Sequence, residues 1–256
     1  MPGASDDLAQ WLHCPQCGAD LTAVDALRLA CPRGHSFDVN KRGYVSLVPP
    51  GDRMQGDDAR MLDARAAFLE PGRFAPIRDA LLSALPDTAV RVLDAGCGTG
   101  YYLEGALSHL GPAAAALALD LSPEAVRRTV RLTGAAGLVA DTWRPLPVRT
   151  GVADLVLDVF APRNLPEFAR VLAPGGMLAV VIPAADHLRE LREAGRAIDV
   201  AAGKLERLRA DAQALFSLDA ITPVSFRMEL DAAAAAALIG MGPSAHHRDT
   251  AGEAVD

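Results

Sequence analysis

The stretch that decides the fold is Asp94-Ala95-Gly96-Cys97-Gly98-Thr99-Gly100. Before it, Val90–Asp94 reads as a buried strand, and after it Tyr101 to about Leu110 reads as a helix. A strand that feeds a helix through glycines lets the backbone approach a ligand at the strand's carboxyl end. The spacing is G-x-G-x-G, with Asp94 two residues ahead of Gly96, and differs from the G-x-G-x-x-G of a dinucleotide site. No pyrophosphate needs cradling by such a loop, whereas a carboxylate at its start can orient an amino group. Asp94, Gly96 and Gly100 therefore point to S-adenosylmethionine, with a nicotinamide dehydrogenase as the remote rival.

Downstream, strands and helices alternate, which implies a mostly parallel sheet covered on both faces. The second strand, Ala116–Asp120, ends in an acid about twenty residues past the glycine loop, where a carboxylate can accept both ribose hydroxyls. The third, Gly137–Ala140, runs into Asp141, placed to accept an adenine amino group. The fourth, Ala153–Val159, is followed by Phe160-Ala161-Pro162-Arg163-Asn164 and a helix to Leu172. Pro174-Gly175-Gly176 then introduces the fifth strand, Met177–Ile182. Any one of these acids could be a helix cap or a solvated turn. In this order they predict an α/β fold, a class I (Rossmann-like) S-adenosylmethionine-dependent methyltransferase.

Upstream, Asp57–Leu69 and Pro76–Leu85 show helical periodicity, separated by Glu70-Pro71-Gly72-Arg73-Phe74. They read as packing helices, with Phe74 as a core residue of the turn. Before them, Pro49–Gly56 is rich in breakers and marks a boundary between residues 1–50 and a methyltransferase domain over 57–256.

The first region carries Cys14-Pro-Gln-Cys17-Gly18 and, thirteen residues on, Cys31-Pro-Arg-Gly-His35. A C-x2-C turn aims two thiolates at one point, and the following C-x3-H adds a third thiolate and an imidazole. Gly18 and Gly34 stand where such knuckles need a positive φ. Three clustered cysteines cannot all pair as disulfides, and Cys3His is a closed tetrahedral zinc set with no open position for a catalytic water. The predicted role is structural, because about fifty residues rarely hold a core without such a staple. Cys97, in the glycine loop, is no ligand candidate. Leu27–Cys31, Ser36–Val39 and Tyr44–Leu47 read as ribbon strands.

The 256 residues are half hydrophobic, enough for a sizeable core. No apolar run approaches the roughly 20 residues of a membrane-spanning helix, and the acidic start, Met1–Gln10, has no signal-peptide pattern. The expectation is a soluble cytoplasmic protein with no membrane partner. A net charge of −7, from 25 basic and 32 acidic side chains, argues against a protein that coats nucleic acid without specificity. Over residues 26–53, however, Arg28, Arg33, Lys41, Arg42 and Arg53 face only Asp38 and Asp52, a local +3 interleaved with Phe37 and Tyr44. That window fits an RNA-facing surface, and equally a solvated ribbon face.

With these residues in hand, the chain resembles the 23S rRNA (guanine-N1)-methyltransferase family. The resemblance runs from Cys14 to Gly242–His247. It rests on the Cys14/Cys17/Cys31/His35 ribbon followed by Phe37-Asp38-Val39 and Gly43-Tyr44-Val45. It rests also on Ala64–Leu69, Asp94–Tyr102 and Pro183–Leu188. Phe160–Asn164 and Met241-Gly242-Pro243-Ser244 are similar to its actinobacterial macrolide (tylosin)-resistance branch, which methylates a guanine in a hairpin loop lining the peptide exit tunnel. The resemblance implies 23S rRNA as partner, a homodimer, and further cofactor contacts from Phe74, Gly98, Thr99 and His187. Phe74 then becomes a lid over the cofactor.

Guanine N1 carries a proton that must be removed or shared during methylation. Asp158, at the end of the fourth strand, is the candidate general base, with Glu167 and His187 as alternatives and a purely structural Asp158 as the rival. Phe160 or Tyr101 is a candidate stacking partner for the target base, and Arg163 a phosphate contact.

After Ile221–Leu230, which reads as a strand, and Asp231–Ile239, which reads as a helix, relatives continue through another helix into a final strand. Here Thr250–Asp256 has no strand pattern, and His246 stands where relatives carry tryptophan. The expectation is either a truncated chain or a sheet lacking the strand beside its sixth. Two other functions remain open: methylation of a small natural product with a merely structural ribbon, and a non-catalytic RNA-binding relative.

Overall fold

The structure, a computed structural model, describes residues 3–49, 56–196, 201 and 203–242. Most of the Pro49–Gly56 connector, Pro243-Ser244, His246 and Thr250–Asp256 lie outside the described residues. The chain divides into two units, one of the residues up to Asp57 with Leu81–Val181, the other of Asp58–Ala80 with the residues from Ile182 onward.

The first unit begins with a helix that periodicity did not announce, α1 (Ala4–Trp11), which buries Leu8 and Trp11. Four short strands follow: β1 (Thr22–Asp25), β2 (Arg28–Ala30), β3 (Ser36–Asn40) and β4 (Tyr44–Ser46), each antiparallel to the next. Three of them match the expected ribbon strands, and β1 is additional. Gly18 (φ 71°) and Gly34 (φ 87°) take the left-handed backbone that the knuckles require.

Two helices come next in the chain, α2 (Ala59–Leu69) and α3 (Ala75–Ala84). Asp58 caps α2 by accepting the amide of Met61 at 2.8 Å. The methyltransferase elements then alternate as expected. They are β5 (Arg91–Ala95), α4 (Tyr101–Leu110), β6 (Ala115–Asp120), α5 (Pro123–Thr133), β7 (Ala136–Val139), β8 (Ala153–Val159), α6 (Leu165–Val171) and β9 (Leu172–Val181). Helix α5 shows why the sequence folds locally as it does. Ser122 accepts the Ala125 amide, Pro123 opens the first turn, Glu124 pairs with Arg127 and Arg128, and Gly134 ends the helix in the left-handed region.

All nine strands join one sheet in the order β1-β2-β3-β4-β7-β6-β5-β8-β9, parallel from β4 onward. The ribbon is thus hydrogen-bonded into the methyltransferase sheet through β4 and β7. Gly137 permits the junction: a Cβ there would stand 2.5 Å from Tyr44 Cβ and 2.7 Å from Val126 of α5. Two arginines fasten the ribbon further. Arg91 lies 4.3 Å from the Trp11 ring centre, and Arg149 donates to the carbonyls of Leu12 and Leu21. Between the sheet and its helices lies a core of Val92, Leu103, Ala118, Val126, Leu155 and Leu157, all fully buried. Near-continuous apolar strands are what a parallel sheet covered on both faces requires.

The second unit contains α2, α7 (Arg189–Glu193), α8 (Lys204–Ala212) and α9 (Ala232–Gly240). Asp231 caps α9 through the Ala234 amide, and Arg65 of α2 donates to the Met241 carbonyl.

Here one expectation is corrected. Ile221–Leu230 forms no strand, and among the described residues the sheet ends at β9. Among the described residues the sheet therefore has no sixth strand, and the segment where a further strand would follow lies outside them. The alternation of Val224, Phe226, Met228 and Leu230 is a strand signature, but alternation alone supplies no partner for backbone amides and carbonyls. Edge position also explains why Met177–Val181 is only half-buried, unlike β8.

Candidate active site and metal centre

Cys14, Cys17, Cys31 and His35 converge, their ligand atoms all within 4.8 Å of one another. Cys17 Sγ stands 3.7 Å from Cys31 Sγ, and His35 Nδ1 lies 3.4 Å from both Cys14 Sγ and Cys31 Sγ. A zinc tetrahedron with Zn–S of about 2.3 Å and Zn–N of about 2.1 Å has edges of roughly 3.8 and 3.6 Å. The donor set fits that ion, and all four cysteines are free thiols. The set is closed, with every corner supplied by protein, so its role is structural.

The second cluster gathers at the carboxyl ends of β5, β6, β7 and β8, where parallel sheets bind ligands. Strand β5 delivers Asp94, which is 2 % exposed. Burial, and then the charge of Asp120, push its carboxyl up to about 7. A buried carboxylate held in this way is poised to receive a cation such as an amino acid's ammonium group. The loop beyond it turns through Gly96, whose φ of 89° and close approach to Ala161 (2.5 Å for an added Cβ) exclude any other residue. Asp120 accepts the Gly98 amide at 3.0 Å and the Ser122 amide at 2.9 Å, tying the glycine loop to the end of β6. Thr129 of α5 donates to the Gly98 carbonyl. Thr99 and Gly100 complete the turn, Gly100 as the N-cap of α4.

Asp141 follows β7, 8 % exposed, and accepts the Trp143 amide at 2.9 Å. Asp158 lies near the end of β8, fully buried, with Arg163 Nη1 3.3 Å from its Oδ1. The structure thus turns Arg163 toward a carboxylate, a pairing its position in the sequence did not disclose. Phe160 has φ 55°, a left-handed conformation costing a non-glycine residue roughly 1–2 kcal/mol, and strain of this kind concentrates at functional sites. Its ring lies 6.5 Å from that of Tyr102, which packs edge-on to Tyr101 at 5.1 Å. Asn164, which sequence reasoning passed over, donates to the carbonyls of both Thr142 and Arg144. Glu167 is taken up by Arg170 and by the Leu146 amide, which leaves it a bracing role.

Of the four site residues implied by resemblance, Phe74 and His187 fall together in the second unit. Phe74 is 3 % exposed, edge-on to Phe68 at 5.0 Å, with the His187 ring centre 6.2 Å away. Burial, and then Arg192, lower the His187 pKa.

Residues 92–176 match the family model described as a methyltransferase domain, and residues 12–53 match the one described as RlmA, N-terminal, a zinc ribbon. A 23S rRNA (guanine(748)-N(1))-methyltransferase of Streptomyces fradiae is 38% identical over 95% of this chain and 88% of its own length. The chain belongs to the 23S rRNA (guanine-N1)-methyltransferase family. A second relative, from Micromonospora griseorubida and named for the same guanine-N1 chemistry, is 39% identical over 96% of this chain and 90% of its own. Among solved structures, a chain of the complex between the Haloferax volcanii Trm112 methyltransferase activator and a methyltransferase superposes with TM-score 0.50. It is 23% identical and covers 62% of this chain and 76% of that one, a likeness of fold. The protein is accordingly an S-adenosylmethionine-dependent methyltransferase with a structural zinc ribbon. Among its described residues no helix is long and apolar enough to cross a membrane.

Proposed function

We propose that this methyltransferase modifies N1 of one guanine in a 23S rRNA hairpin loop lining the peptide exit tunnel, the guanine equivalent to that of the Streptomyces fradiae enzyme, and so confers macrolide resistance in the cytoplasm. What carries this reading is the 38% identity to that enzyme along 95% of the chain. In this reading residues 1–50 form the ribbon, 57–256 the methyltransferase domain, and the homodimer implied by the family is the working form.

Bound S-adenosylmethionine supplies an electrophilic methyl group. Asp94 holds the amino group of its methionine part, Asp120 the ribose hydroxyls and Asp141 the adenine amino group. Gly96, Gly98, Thr99 and Gly100 give the backbone surface between them, and the family resemblance adds Phe74 and His187 as cofactor contacts. Asp158 accepts the proton from guanine N1. Arg163, whose Nη1 lies 3.3 Å from Oδ1, holds that carboxylate in place. Phe160, projecting from its strained turn, stacks on the target base. Positioning of two reactants in line supplies much of the remaining rate.

Incubation of the protein with labelled S-adenosylmethionine and unmodified 23S rRNA tests the reading. Label should enter RNA, and reverse transcription should stop at a single guanine, because N1 methylation blocks Watson–Crick pairing. Label in a small molecule alone, or cofactor binding without turnover, would overturn it. Asp158→Asn should lower kcat by about 10²–10⁴-fold with cofactor affinity retained, the range expected for loss of a general base. Normal turnover in that variant would remove Asp158 from the mechanism.

A further inference from the structure

Trp143 is 62% exposed, the most exposed large hydrophobic side chain among the described residues. Its setting is not that of a loose loop tip. The Trp143 amide donates to Asp141 Oδ1, the Arg144 amide donates to the Asp141 carbonyl at 3.1 Å, and Arg144 Nε lies 3.4 Å from Asp141 Oδ2. The carbonyls on either side of Trp143 both accept from one amide, Asn164 Nδ2, at 2.9 and 3.1 Å. The backbone is therefore fixed from two directions while the indole is left in solvent. A rigid aromatic offered in this way loses little conformational freedom when something lies against it.

Asn164 belongs to the loop that carries Phe160, itself 39% exposed, and Arg163. The same loop presses Ala161 against Gly96 of the glycine loop. Trp143 thus stands on a platform continuous with the cofactor loop and with the aromatic residue assigned to the target base. Its immediate neighbour Arg144 is exposed (53%), and the carboxylate it pairs with, Asp141, is buried. Its neighbours in the chain, Thr142, Arg144 and Pro145, include no further large apolar side chain of the kind that enriches the core of a protein interface. Aromatic rings beside cations are the pattern that stacks unpaired nucleobases and neutralises the phosphates between them.

We propose that Trp143 stacks on an unpaired base flanking the methylated guanine, with Arg144 at the intervening phosphate, so that recognition extends one nucleotide beyond the Phe160 site. The proposal rests on the RNA reading given above. Trp143 is a positioning residue for the RNA and takes no part in the chemistry.

The chain offers its own probe. It has two tryptophans, and Trp11 is 3% exposed beneath Arg91, so quenchable emission reports Trp143. A 23S rRNA hairpin transcript should quench wild-type emission, and S-adenosylmethionine alone should not. Trp143→Ala should raise KM for the hairpin roughly tenfold to a hundredfold with kcat largely kept, and Trp143→Phe should restore most of the loss. Hairpin binding and methylation without quenching, or an unchanged KM in Trp143→Ala, would overturn the proposal alone. Quenching by the cofactor alone, with weakened cofactor affinity in Trp143→Ala, would assign the indole to the adenine and overturn it too. Failure of the wild type to bind the hairpin by mobility shift would overturn both this proposal and the RNA reading.

Discussion

The ribbon and the parallel sheet share one hydrogen-bonded ladder, yet they are held together by different physics. Strands β5, β6 and β8 are buried almost throughout, with Val92, Leu93, Leu117, Leu119, Leu155 and Leu157 at 0% exposure. Strands β1 to β4 bury Leu29, Val39 and Val45, while Val24 and Leu27 are exposed at 54% and 46%. Apolar burial stabilises at roughly 25 cal/mol per Å², so the sheet can stand on its side chains. The ribbon has too few and depends on four ligand atoms at one point. Stability is spread over many contacts in one region and concentrated in a single centre in the other, and the two should fail separately.

Metal removal is the sharpest way to break that comparison, and carries the largest expected effect. Structural zinc contributes an apparent binding free energy of about 10–16 kcal/mol in small zinc domains. Chelation, or Cys31→Ser, should therefore unfold β1 to β4, read as lost hydrogen-exchange protection over Thr22–Ser46. Protection in β5, β6 and β8 should persist, and β7, deprived of its parallel neighbour β4, should exchange at an intermediate rate. A sheet that loses all its protection at once on chelation would show that the two regions form one cooperative unit.

The same contrast predicts how single side chains behave. Leu117→Ala, in the middle of β6 at 0% exposure, should cost about 2–5 kcal/mol because it leaves a cavity in a close-packed interior. Leu27→Ala, at the solvent-facing ribbon turn, should stay within about 0.5 kcal/mol. Denaturant midpoints of the zinc-loaded protein measure both. Equal losses would mean that the exposed ribbon leucine carries packing not evident from its exposure.

How much of this was legible beforehand also divides along the comparison. Helix α4 and strand β8 begin and end where periodicity placed them, because buried apolar runs and a glycine boundary are local signals. The four zinc ligands were legible for a similar reason, since their spacing encodes their convergence. Strand β1 was not, because Thr22–Asp25 is mostly exposed and its apolar positions show no alternation. The β4–β7 pairing joins residues more than ninety positions apart, and no local pattern specifies such a partner. Ile221–Leu230 erred in the opposite sense: its alternation is local, but a strand also needs a neighbour. In the candidate site the position of the acids at strand ends was legible from the sequence. The Arg163–Asp158 pair and the two bonds from Asn164 could not, since both depend on how a strained turn at Phe160 redirects the chain.

Asp94 sharpens the comparison, because its burial costs the sheet region stability at neutral pH. Its carboxyl, raised to about 7 by burial and by Asp120, holds a proton between about pH 4 and 7 that the unfolded chain has already released. Over that window the native state binds more protons than the unfolded state, so its contribution to stability falls as pH rises and reaches its minimum above pH 7. Without cofactor, the protein should thus lose about 1–3 kcal/mol through this group between pH 5 and 8. Asp94→Asn removes the titration. The variant should melt higher than wild type at pH 8, match it more closely at pH 5, and bind S-adenosylmethionine at least tenfold more weakly. Thermal melts across pH with and without cofactor, together with calorimetric titration, test both halves. If the asparagine variant were destabilised at pH 8 and bound cofactor normally, Asp94 would be a structural carboxylate, and the cost of its burial would have to be offset by contacts other than the cofactor's amino group.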